Sequence, residues 1–152
     1  MCLPVGVARS PELLEMALLH EVAHAALHNV IGEGVPRWFD EGIAVWTEGG
    51  CSPIEQRRLR LAAARKRIPR MQQVEAALGS YAVDLDSGEA AVAYASAGAF
   101  MGYLVERFGV RKVRMLWDRM RRGSDVARAM RAELGRDLRT LESDWRAVSA
   151  PT

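Results

Sequence analysis

From Pro11 to Ile31 the chain runs without a glycine, and without a proline after the first position. Ser10-Pro11-Glu12 supplies an N-cap followed by proline at the first helical position. Gly32 and Gly34 stop the helix near Asn29 and Val30. Its apolar residues (Leu13, Leu14, Met16, Ala17, Leu18, Leu19, Val22, Ala23, Ala25, Ala26, Leu27 and Val30) leave no polar face. A helix apolar all round is expected to be buried. Yet "LHEVAHAALH" inserts His20, Glu21, His24 and His28 into it. An unpaired buried carboxylate is costly, so something has to satisfy these groups.

The remaining punctuation also spells helices. Pro36 opens a short helix that stops at Gly49-Gly50. Ser52-Pro53-Ile54-Glu55 is a capping box with proline inside it, and Arg65-Lys66-Arg67 places cations where the helix dipole favours them. Met71 to Leu78 is a short helix, "GSYAVDLDSG" a loop, and Glu89 to Phe108 a long helix ended by Gly109. Three more follow near 110–122, 124–134 and 137–148, bounded by Gly123-Ser124, Gly135 and Asp137. Strand character is confined to "CLPVGVA", where Pro4 permits an edge at best. The expected fold is mainly α, with at most one or two short N-terminal strands, in a single domain over 1–152.

Composition removes several function classes. With 49% hydrophobic and 26% charged residues the chain reads as soluble and globular. A net charge of +2 does not by itself imply a polyanionic partner. Cys2 and Cys51 are far apart, which argues against a disulfide framework and a cysteine-rich zinc site. No run of about 18 apolar residues exists, so no membrane span is expected. The first residues lack a charged start followed by an apolar run, so no signal peptide is expected. The cytoplasm is the default compartment unless the start has been trimmed.

His20 and His24 are one helical turn apart, on one face, with Cβ atoms about 6 Å apart. Both imidazoles can converge on one ion at about 2.0–2.1 Å. Glu21 sits roughly 100° round the helix from His20, beside such an ion rather than on it. This is the H-E-x-x-H pattern of two metal ligands and a general base; satisfied core histidines are the plainer alternative. His28 lies eight residues from His20, a rise of about 12 Å, so one ion cannot bond both. It is expected to serve structure or to orient a ligand. The better third ligand is Glu41 in "VPRWFDEGIAVW", seventeen residues after His24; a solvent-facing helix charge is the plainer alternative. A reversal through Gly32 and Gly34 would bring that helix back against the first. Two histidines and a glutamate leave a fourth position open, as catalytic zinc requires. Gly42 would let helices approach closely, and Trp38, Ile43, Val45 and Trp46 would wall the site and dock the helix. Asp40 faces solvent or orients a ligand histidine.

"HEVAH" followed by "VPRWFDEGIA" closely resembles the gluzincin metallopeptidases, and best the peptidase MA-like group. Their pattern is HExxH, then Pro-x-Trp-x-x-Glu-Gly-Leu/Ile-Ala. With "AYASAGAFMGYLVERFG" and "LESDWRA" the likeness covers most of 13–147. The resemblance implies a zincin-like helical domain, one Zn2+ held by His20, His24 and Glu41, and Glu21 as catalytic base. In the related aminopeptidases a tyrosine before a Gly-rich helix turn stabilises the oxyanion. Tyr94 is similar to that residue; the alternative is a core aromatic with a satisfied hydroxyl. Tyr81 and Tyr103 are poorer candidates. Gluzincins usually carry a sheet before the active-site helix, but only about ten residues precede it here. The chain is therefore a minimal version of the domain or a fragment of a longer protein. No aminopeptidase motif for gripping a substrate amino terminus is visible, which leaves an endopeptidase-like activity on a peptide or protein substrate.

A zincin-fold binding or regulatory module without turnover is the main alternative. Residues 57–70, "RRLRLAAARKRIPR", carry seven basic side chains and no acidic one. They allow a nucleic-acid patch, but a solvated helix face is the plainer reading and no nucleic-acid partner is expected. "DLDSGE" resembles the start of a calcium loop, but its glycine comes one position early. Met101, Met115, Met120 and Met130 fit helical core packing.

Overall fold

The computed structural model describes residues 10–32, 34–79 and 88–149. They form eight helices: α1 (Pro11–Ile31), α2 (Arg37–Thr47), α3 (Pro53–Ala64), α4 (Met71–Leu78), α5 (Gly88–Phe108), α6 (Val110–Arg121), α7 (Val126–Leu134) and α8 (Leu138–Ser149). No strand occurs among the described residues, so the fold is mainly α. The segment read as an edge strand, the loop over 80–87 with most of the calcium-like motif, and Tyr81 lie outside the described residues.

The helix ends follow the caps. The Ser10 hydroxyl accepts from the Leu13 amide, and Ser52 and Glu55 close a reciprocal capping box at the start of α3. Asp125 and Asp137 accept from the Arg128 and Thr140 amides, each at 2.8 Å. Gly135 ends α7 in the left-handed conformation that glycine adopts without a Cβ penalty. At α2 the N-cap position is Pro36, which has no capping side chain. Glu75 of α4 supplies the missing acceptor, taking the Trp38 amide at 3.1 Å. A carboxylate there also suits the positive end of the helix dipole.

α2 and α5 form the centre of the fold. Trp38, Phe39, Ile43 and Val45 of α2 are buried, as are Ala97, Phe100, Met101 and Leu104 of α5. Each large apolar side chain buried this way contributes on the order of 1.5–3 kcal/mol. Two glycines set how close the helices come. A Cβ on Gly42 would sit 2.8 Å from the Ala97 carbonyl oxygen, and one on Gly98 would collide with Val45. The close approach expected at Gly42 is thus made against α5. Trp38, Ile43 and Val45 dock α2 into this core, while Trp46 is exposed.

α1 departs from expectation. It packs against α2 and α6, and only Ala23 and Leu27 are buried. Leu18 is 53% exposed and Val22 62%, with Leu13, Leu19 and Val30 also exposed. An apolar surface all round a helix calls for cover on every side, but periodicity cannot say that the described part of the chain supplies it on one side only. Among the described residues no helix is long and apolar enough to cross a membrane.

Arg57, Arg60, Arg65, Lys66, Arg67 and Arg70 are exposed and Arg58 is half-buried. Met101, Met120 and Met130 are buried. Cys51 is a free thiol. Burial, with Glu55 and Glu48 nearby, raises its pKa to about 12, so it stays protonated.

Candidate metal centre

The loop between α1 and α2 turns the chain back, so α2 lies along the inner side of α1. His20 and His24, one turn apart, present their Nε2 atoms to each other at 3.0 Å. Glu41 Oε2 stands 3.6 Å from each Nε2. The point equidistant from three atoms so spaced lies about 2.0 Å from each, which is the bonding distance of zinc to imidazole nitrogen and carboxylate oxygen. His20, His24 and Glu41 form a group able to hold a metal ion. Two imidazoles and one carboxylate are donors that suit zinc and leave a coordination position free.

The opposite nitrogen of each ring is also held. His24 Nδ1 donates to Asp40 Oδ1 at 2.7 Å. His20 Nδ1 lies 3.2 Å from Glu48 Oε2 and 3.3 Å from the Tyr94 hydroxyl. In the neutral His24 ring, a proton held on Nδ1 by Asp40 leaves the Nε2 lone pair free, the tautomer a metal ion needs. Asp40 does not face solvent: it is 1% exposed and accepts from His24. Sequence reasoning passed over Glu48. It caps the C-terminus of α2, seven residues or about two turns after Glu41, and that spacing is the signal that would have found it.

Charge and burial together shift how the groups of the site titrate. Burial lowers the pKa of His20, but Glu41 and Glu48 outweigh it and raise it to about 9. Asp40 and Glu41 raise His24 to about 10 against the opposing effect of burial. Burial raises Glu41, yet the two histidines overcome this and bring it to about 2. Asp40 is likewise lowered, with His24 and His28 outweighing burial. Burial and the neighbouring carboxylates, Glu48 foremost, raise Tyr94.

A cavity of about 480 Å³ opens over the three donors, lined by Glu21, His28, Arg37, Asp40, Leu78 and Tyr94 besides the donors themselves. Glu21 reaches this wall from α1, half-buried and adjacent in sequence to His20. Trp38, Ile43, Val45 and Trp46 do not wall the cavity; Arg37 and Leu78 do, and Arg37 Nε donates to the Leu78 carbonyl at 3.5 Å. Tyr94 lines it too, with its hydroxyl at His20 Nδ1, on the far side of that ring from Nε2. His28 is away from the three donors, as the helix rise requires, and its Nε2 meets Asp40 instead.

No curated protein and no solved structure matches the chain. A family model does: that of the Peptidase MA superfamily matches residues 5–150. The match covers almost the whole sequence, and the chain belongs to the Peptidase MA superfamily.

Proposed function

We propose that the protein is a zinc-dependent peptidase, endopeptidase-like, that hydrolyses peptide bonds with Glu21 as general base. One observation carries the reading: His20 Nε2, His24 Nε2 and Glu41 Oε2 converge at the floor of a cavity whose wall includes Glu21. Membership of the Peptidase MA superfamily supports it. Zinc bound there would act as a Lewis acid, lowering the pKa of a coordinated water towards about 7 and polarising the substrate carbonyl.

The chain's own residues supply the rest. Asp40 holds the His24 imidazole in the ligating tautomer, and Glu48 stands beside His20 Nδ1. Glu21 takes a proton from the attacking water and hands it to the leaving amine. Tyr94 would assist the oxyanion once its hydroxyl turns from His20 Nδ1 into the cavity that the residue already lines.

Glu21→Gln tests the assignment, because it keeps size and removes the base. The variant should hold as much zinc as the parent and hydrolyse a peptide library at least about 100-fold more slowly. Equal rates in parent and variant would remove the general base. A zinc-loaded parent that cleaves nothing in a broad library would point to a binding or regulatory module in place of an enzyme.

A further inference from the structure

α1 carries a third histidine that plays no part in the chemistry above. His28 continues the stripe of His20 and His24 by one more turn, with its side chain 50% exposed. Its Nε2 donates to Asp40 Oδ2 at 3.0 Å. The other oxygen of that carboxylate, Oδ1, takes His24 Nδ1 at 2.7 Å. The next cation, Arg37 Nη1, is 3.9 Å from Oδ2 and beyond hydrogen-bond range. Each oxygen of a carboxylate that is all but sealed from solvent therefore has one imidazole donor. The three side chains form a line from the surface to His24, whose Nε2 faces Glu41.

We propose that His28 is a positioning residue for the metal centre: by holding Oδ2 it fixes the plane of the Asp40 carboxylate, and through it the ring of His24. The inference rests on the reading of His20, His24 and Glu41 as metal ligands. The terminal torsion of aspartate is soft and roughly two-fold. A carboxylate tethered through one oxygen can swing about that contact, and the His24 ring swings with it. Tethered through both oxygens, it presents Oδ1 at one place. An imidazole whose nitrogen is aimed before the ion arrives loses less freedom on binding. The helical stripe makes the device possible: histidines at steps of four share a face, so one carboxylate from α2 reaches two of them.

A merely structural role, tying α1 to α2, would also explain the contact, and the test separates the two. Zinc affinity of the full chain is measured by competition with a chromophoric chelator in the parent, His28→Ala and His28→Gln. The His24 Nδ1–H resonance of each zinc-loaded protein is recorded, together with the melting temperature of each metal-free protein. A partner one step removed from the ligand should matter less than a direct one, so His28→Ala is expected to weaken zinc by about 3- to 10-fold. It should also move the His24 resonance. His28→Gln keeps an N–H donor and should restore both. Zinc affinity within about twofold of the parent and an unmoved His24 resonance in His28→Ala would overturn the inference even if the melting temperature falls. The metal-site reading would then still stand. A parent that binds no zinc would overturn both.

Discussion

α1 and α2 both contribute to the candidate metal centre, but they are held in different ways. α2 is eleven residues long and buries seven of them. It interlocks with α5 through Gly42 and Gly98, and its N-terminus is capped by Glu75. α1 is twenty-one residues long and buries two. Polar contacts at the site also join it to α2, from His24 and His28 to Asp40 and from His20 to Glu48. The carboxylates thus stand on the more deeply packed helix and the histidines on the more exposed one. An ion bound between the helices would then be a further tie, and its binding would stabilise the fold by mass action.

Breaking that arrangement at different points should give graded losses. Glu41→Ala removes the one donor that the packed helix gives to the ion. Zinc affinity should fall by more than the roughly 100-fold seen when an outer partner is lost, and calorimetric titration with a competing chelator measures it. Asp40→Asn keeps the packing of α2 but weakens the hold on His24, and the expected loss is about 10- to 100-fold. Glu48→Gln should cost less, about 10-fold or under, because the Tyr94 hydroxyl also stands at His20 Nδ1. A larger loss for Glu48→Gln than for Asp40→Asn would reverse the view that the buried carboxylate is the stiffer brace.

The smallest effect is in pH dependence, and its sign follows from the raised histidines. His20 and His24 move from 6.5 to about 9 and about 10 in the metal-free protein. Their stabilisation is fully present below the unfolded value near 6.5 and is lost as pH rises through 9 to 10. Zinc needs neutral imidazoles and displaces those protons, so its affinity should rise over the same window. Chelator-treated protein should lose a few degrees of melting temperature between pH 6.5 and 10, while stabilisation by added zinc grows. A metal-free melting temperature that rises through that window would contradict the charge assignment.

Much of this was legible in the sequence. Cap residues marked the helix ends because caps act within three or four residues. The donors were legible because His20 and His24 are tied by one helical turn, and Glu41 by the reversal at Gly32 and Gly34. Other features depend on how helices face one another. Nothing local says that Asp40 meets two histidines, or that Gly42 is needed against Ala97 of α5. The outer face of α1 was misread because a list of apolar residues does not reveal what covers them. Glu48 lay between the two cases. Its spacing from Glu41 was visible, but its partner His20 sits on the other helix.

The central claim is one metal ion held between a weakly packed helix and a firmly packed one. Elemental analysis of the purified full chain, parent and Glu41→Ala side by side, tests it most directly. The account predicts one zinc per chain in the parent and a clear loss in the variant. Substantially less than one zinc in the parent, with no change when Glu41 is replaced, would contradict it.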